Sequence, residues 1–383
     1  MSKYLITLEP TGKFFFGGEM TFQVGDNEKD KFNQQFASYI IESSKFPQQT
    51  SLLGMLRFLL LKKSDLFDLN SNCIKDHNNP KLADLIGKSS FMVGKKDGYG
   101  RIRSISPCFL MRGKEKVIIL PKDCGSEKDK WGIKRIVLSD KAYHYNGREI
   151  GIEKIVRHRN EKDKEEEPLW IAKDGLDMWY WDGKKLLKED DIFIKDQRIG
   201  INRNIDTGKT QDNSLFKQVN YRLADGYCFA FYADIDSIDI SEYENEIVSV
   251  GADSSQFKLK IEGPIKDENV VTTAIPTEYQ PQLEGAYGKI VLDSPSFITD
   301  DLLSNACFSI TETIPFKFMK TTIETNDYSR LGRKISQSDR YELYQTGSVF
   351  YFRTEEGLKG FKTGVEERTD FRNIGYNHMI EII

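Results

Sequence analysis

The sequence predicts an α+β chain of two tandem ferredoxin-like (βαββαβ, RRM-like) domains, the first carrying a large insertion. Two observations lead there. Apolar patterns run strand, helix, paired strands, helix, strand, and the order then repeats. The 24 Phe and 17 Tyr beside only 8 Met favour sheet-rich structure. A chain of 383 residues can bury more than one core. The expected division is residues 1–265, with the insertion at about 63–195, and residues 266–383.

KYLITLEP alternates and reads as the first strand. FPQQTSLLGMLRFLLL is the clearest helix, with Thr50 or Ser51 as its cap and a wide apolar face from Leu52 to Leu60. Gly54 inside it costs roughly 1 kcal/mol relative to Ala, which suggests close packing or the close approach of another backbone. Residues 63 to about 195 read as polar hairpins, a short helix NPKLADLIG and a charge-rich loop, NEKDKEEEP. LWIAKDGLDMWYWDGKKL reads as a local apolar cluster pinning the insertion to the body. The stretch from Arg198 to Arg222 reads as two strands joined by a polar loop, the central pair of the first domain. LADGYCFAFYADI is an apolar strand, ISEYENEIVSVG a short helix and QFKLKIEG an alternating strand. In the second half, GKIVLDSP is a strand and SFITDDLLSNA a helix capped at Ser296. CFSITETIPFKFM is a strand broken by Pro315, and YELYQTGSVFYFRT a strand containing Gly347. EEGLKGFKTG is a helical turn and NHMIEII the closing strand.

A net charge of −4 does not advertise nucleic-acid binding, so any such site must be local, with acidic surface elsewhere for solubility or protein partners. The five Cys form no Cys-x-x-Cys pair and have no His at metal-ligand spacing, as expected of reduced thiols in a cytoplasmic protein. No targeting pattern and no apolar run of membrane-span length stands out, so no membrane role is expected.

The four His (77, 144, 158 and 378) are scattered, and His378 is the best of them for acid–base work. NIDTGKT has a Gly-Lys-Thr but lacks the upstream glycine of a phosphate loop, and it lies between strands. No catalytic set, metal site or cofactor is nominated. What stands out is a set of donors suited to an RNA backbone. Arg198, Arg203, Lys209, Lys217 and Arg222 face only Asp206 and Asp212 within their stretch. Asn202, Asn204, Thr207 and Thr210 add neutral donors, Gly200 sits in the first strand, and Phe216 and Tyr221 could stack on bases. Lys45, Gln48, Gln49, Thr50, Ser51 and Arg57 surround a helix start whose N–H groups and dipole favour anions.

The landmarks together resemble the RAMP superfamily of CRISPR proteins. They are most similar to the family of type III-B (Cmr) subunits that grip the 5′ tag of the crRNA. LEPTGKFFFGGEM resembles the family's opening strand and turn, and FPQQTSLLGMLRFLLL its Pro-x-x-Thr-x-x-Gly-x-x-Arg helix start. GYGRIRSISPCFL and ILPKD resemble hairpin pieces before the midpoint. RIGINRNIDTGKTQDNSLF resembles the Val-Gly-Ile strand and the acidic-to-Leu-Tyr/Phe segment after it, and KIVLDSPSF and TGSVFYF the second domain's strands. The chain departs from the family at Gly251-Ala252 and in a thin C-terminal glycine loop at Gly364 and Gly375. The resemblance implies a non-catalytic subunit that binds crRNA and joins the large palm-domain subunit of the Cmr complex to the backbone RAMP subunits, meeting target RNA indirectly. The alternatives are a crRNA-processing RAMP endoribonuclease and the tag-binding subunit of a type III-A complex.

Overall fold

A computed structural model of the chain describes residues 2–17, 20–24, 37–76, 79–95, 98–124, 178–203, 210–253, 255–266, 286–323 and 333–383. It also describes short strands between 128 and 168, Thr273 and Leu283. The architecture is mixed α and β, rich in sheet and poor in helix.

In the first part, strands β1 (Ser2–Pro10), β2 (Met20–Val24) and β3 (Ala37–Glu42) lead to helices α1 (Gln49–Lys62) and α2 (Pro80–Ile86). Strands β4 (Ile102–Ile105), β5 (Phe109–Arg112), β6 (Glu115–Ile119), β7 (Trp179–Trp181) and β8 (Leu186–Lys188) follow. A long ribbon of β9 (Phe193–Arg203) and β10 (Thr210–Leu223) comes next. It is followed by β11 (Tyr227–Ile235), β12 (Ile247–Ser249) and β13 (Gln256–Ile265).

The main sheet has the order β8-β7-β6-β5-β11-β1-β13-β12, with β4 also pairing β11. Central β1 is antiparallel to both neighbours, β11 and β13. Its alternation explains the layers. Tyr4, Ile6 and Leu8 join the large core with Leu52, Leu56 and Leu59 of α1. Leu5 points the other way, into a smaller cluster with Phe109, Met111, Cys228 and Ala230.

In the second part, β14 (Gly288–Leu292), helix α3 (Asp300–Leu303) and β15 (Phe308–Ile310) precede two hairpin pairs. The outer pair is β16 (Thr313–Phe316) with β19 (Tyr341–Tyr344). The inner pair is β17 (Met319–Ile323) with β18 (Arg333–Gln337). Strand β20 (Val349–Phe352), helices α4 (Glu355–Glu366) and α5 (Thr369–Arg372) and strand β21 (Met379–Ile382) complete the second part. The sheet order is β15-β20-β14-β21, antiparallel throughout. Ile290, Leu292, Phe350 and Phe352 pack on Leu358, Phe361 and Val365 of α4. Val291, Val349 and Tyr351 face away from it.

Several sequence expectations change. The Arg198–Arg222 ribbon is not the central pair of the β1 sheet. It lies in a separate sheet of order β9-β10-β3-β2, because β10 takes β3 as a parallel neighbour. Strands β4 to β8, expected within an insertion, extend the main sheet. ISEYENEIVSVG forms a 3₁₀ turn at Ser241–Tyr243 and then β12, because Asn245 takes φ 68° and ends any helix. α4 is a full helix of 12 residues, longer than a turn. Thr299, not Ser296, precedes α3. Gly347 separates β19 from β20 in a turn at φ 83°, a backbone state that favours glycine.

The two parts meet through buried contacts. Lys289 of β14 pairs with Asp123, and both are buried. Tyr351 donates to the same carboxylate oxygen at 2.9 Å. An aromatic cluster of Phe91, Phe316, Phe318, Phe371 and Tyr376 spans both parts.

Candidate nucleic-acid interface

The β9–β10 ribbon is rooted in the main core. Phe193 pairs with Leu223 at its base, and both are buried. Tyr221 is fully buried, hydrogen-bonds Glu42 through its hydroxyl and lies edge-on to Phe193, so it is not open to a base. Burial raises its pKa, and the Glu42 hydrogen bond adds to the shift. Register puts Arg198 opposite Gln218, Gly200 opposite Phe216, and Ile194 opposite Arg222. Residues two apart along a strand share a face, so Arg198 and Arg222 lie on the same one. Arg203 pairs with Thr210 beyond a register shift. The backbones of Asn202, Arg203, Thr210 and Phe216 are strand, while Asn204, Thr207 and Lys209 lie outside the described residues.

The cations around the ribbon fall into two groups. Three lysines are matched by carboxylates, Lys13 with Asp196 at 3.1 Å, Lys195 with Glu42 at 3.6 Å, and Lys45 with Glu189, whereas the half-buried Lys217 of β10 has no carboxylate partner among the described residues. Lys45 also sits 5.7 Å from the Tyr221 ring centre. Arg198 and Arg222 are exposed, and among the described residues neither has an acidic partner. A guanidinium held on a rigid strand and left unneutralised is well placed to take a phosphate through its forked donors.

The helix start differs from the expectation. Gln48 is the N-cap residue, with no side-chain cap bond, and Thr50 and Ser51 are half-buried in the first turn. The Gln49 N–H is already used, donating to the Tyr376 hydroxyl at 3.2 Å. The Gln49 side chain is buried and donates to the carbonyls of Ser106 and Gly375, each at 3.1 Å. Arg57 donates Nε–H to the Ile86 carbonyl at 2.8 Å, which ties α1 to the end of α2. Gln49 and Arg57 therefore hold protein to protein. Sequence reasoning missed Tyr376 as the partner of the helix start. The signal available was Gly375, whose φ of 87° marks a tight turn.

His378 is half-buried. Its Nε2 lies 3.2 Å from the Arg372 carbonyl, and its backbone N–H donates to Ser294 Oγ at 2.9 Å. Burial lowers its pKa. Among the described residues, no three His, Cys, Asp or Glu gather as a metal site. No described helix is long and apolar enough to cross a membrane.

The family model for the CRISPR-associated protein Cas_Cmr3 matches residues 6–383. The chain belongs to that family. The RAMP resemblance carried by FPQQTSLLGMLRFLLL and RIGINRNIDTGKTQDNSLF is thereby borne out. No curated protein sequence matches the chain. Among solved structures, one chain of a type III-B Cmr-beta complex bound to cognate target RNA is 14% identical. It has a TM-score of 0.46 over 99% of this chain and 96% of that one. A second chain, from the complex with target RNA and AMPPnP in state 1, is also 14% identical, with a TM-score of 0.43 over 99% and 96%. Likeness at that level carries no weight beside the Cas_Cmr3 family match.

Proposed function

We propose that this chain is a non-catalytic RNA-binding subunit of a type III-B CRISPR interference complex. It holds the 5′ tag of crRNA and links the large palm-domain subunit to the backbone RAMP subunits. The observation that carries the reading is the pair of exposed arginines, Arg198 and Arg222, on one face of a core-rooted ribbon and without an acidic partner among the described residues. Cas_Cmr3 membership supplies the CRISPR context.

Sheet topology supports two ferredoxin-like domains, residues 1–265 and 266–383. The orders β13-β1-β11-β5 and β21-β14-β20-β15 have the same directions and the same sequence logic. A holding role fits better than a cutting one, because His378 is committed to the Arg372 carbonyl.

The test is retention of tag RNA by the assembled complex carrying Arg198→Ala and Arg222→Ala, measured over a range of salt. Each lost phosphate contact to single-stranded RNA should lower the log–log salt slope by about 0.7. An unchanged slope and unchanged retention would overturn the ribbon assignment. Cleavage of labelled repeat RNA by the purified chain, lost in His378→Ala, would favour the endoribonuclease.

A further inference from the structure

Each of the two matching sheets sends out a two-stranded ribbon from the same connection. In the first, the chain forms β9–β10 on its way from β5 to β11. In the second, it forms β17–β18 on its way from β15 to β20. β5 and β15 hold equivalent places in sheet order, as do β11 and β20. The second ribbon thus arises from the same connection as the first, although the first also pairs with β3 and the second forms a two-stranded sheet of its own.

Its root is fixed. Phe318 is 4% exposed and Ser338 7%, just below the first pair of the ribbon. The Phe318 N–H donates to Ser338 Oγ at 3.0 Å, and the Ser338 N–H donates to the Phe318 carbonyl at 2.8 Å. The Phe318 ring packs on Phe91 and Phe316. Above this root, Met319–Ile323 and Arg333–Gln337 pair only with each other among the described residues.

The composition of the ribbon is one-sided. Its paired residues include Lys320, Arg333 and Lys334 and no carboxylate, in a chain with 59 Asp and Glu. Register sets Lys320 opposite Ser336 and Thr322 opposite Lys334. These four positions share one face, and the diagonal from Lys320 to Lys334 spans about 7–8 Å. Two lysine positions and two hydroxyl-bearing positions on one face bring donors together with no acid among the paired residues. No ion pair to Lys320 occurs among the described residues. The chemistry that such a face fits is a run of phosphates with alternating hydroxyl contacts, as a single RNA strand presents.

We propose that β17–β18 is a second contact for the backbone of single-stranded RNA, through Lys320, Thr322, Lys334 and Ser336. The proposal rests on the RNA-holding reading above and adds a second point of grip in the second domain. Two grips on ribbons from equivalent connections would follow one strand across both domains.

The experiment compares three full-length variants in the assembled complex: Lys320→Ala/Lys334→Ala, Lys320→Arg/Lys334→Arg and Arg198→Ala/Arg222→Ala. Binding of labelled single-stranded RNA is measured from low to high salt, and subunit composition is checked on each sample. The expected result is a fall of about 1.4 in the log–log slope for the lysine-to-alanine pair, and its recovery in the lysine-to-arginine pair. A slope changed only by Arg198→Ala/Arg222→Ala overturns the second ribbon and leaves the first standing. A slope changed by none of the variants overturns both. Loss of a protein subunit with Lys320→Ala/Lys334→Ala, at unchanged RNA slope, makes the ribbon a protein contact and also overturns the proposal.

Discussion

Gln49 Nε2 donates to the carbonyl of Gly375 at 3.1 Å, so a side chain from the first turn of α1 holds the loop before the last strand. A Cβ placed on Gly375 would lie 2.2 Å from Gln49 Nε2 and 2.4 Å from the Ser106 carbonyl oxygen. Gly375→Ala should therefore destabilise the chain by about 2–4 kcal/mol, from the clash and the left-handed backbone together. Tyr376→Phe, which removes only the hydroxyl that accepts the Gln49 N–H, should cost about 1 kcal/mol. Urea unfolding of both variants checks the ranking.

Lys289 and Asp123 form a pair that is almost wholly out of water. Lys289→Met leaves a buried carboxylate with only the Tyr351 hydroxyl and should cost about 3–5 kcal/mol. Lys289→Met with Asp123→Leu should recover most of that loss. A double-mutant cycle by chemical denaturation measures it, and additive losses would contradict the coupling.

Stability should also respond to pH through His378. Burial depresses its pKa below 6.5, so the unfolded chain binds a proton that the folded one resists. Stability is thus expected to fall as pH drops below about 6.5, before the carboxylates titrate. The loss on going from about pH 7.5 to about 5.5 should shrink in His378→Gln, as read by thermal unfolding at both pH values. The lowered pKa of Asp182, which accepts from the Lys184 and Lys185 N–H groups and from Arg112 despite burial, acts lower on the scale. Its contribution is present above 3.8 and is lost as pH falls through the folded value.

Gly54 should be replaceable. It is exposed within α1, and a Cβ there meets nothing within 4 Å. Gly54→Ala is expected to stabilise the isolated chain by about 1 kcal/mol. A destabilised variant in thermal unfolding would contradict the open space around it.

The two classes of cation around the first ribbon should separate in binding. Lys13→Ala and Lys45→Ala remove charges already matched by Asp196 and Glu189. Each should change the RNA salt slope by less than half of what Arg198→Ala does. Equal effects would argue that the local ion pairs do not screen these lysines.

Strands such as LADGYCFAFYADI and GKIVLDSP were legible because burial imposes a local pattern on them. The start of α1 was legible as an element but not in its role. The partners of Gln49 lie 57 and 326 residues away, and nothing local announces them. α4 runs longer than its sequence suggests, because its glycines look like breakers. In the fold, a Cβ on Gly357 would meet the Asn305 carbonyl oxygen at 3.0 Å, and one on Gly364 would meet Leu302. The sheet membership of the β9–β10 ribbon was hidden for a similar reason, since its parallel pairing with β3 reaches far back along the chain. Its basic character, held in the residues themselves, was plain.

The bond from Gln49 to Tyr376 joins residues 327 apart, which bears on how the protein is made. During synthesis the first helix emerges early, yet the hydroxyl that satisfies its leading N–H is added only after the whole intervening chain. Until then, a nascent first domain displays an open helix end and the empty seat of the Gly375 loop. The fold can close only once that distant tyrosine has left the ribosome.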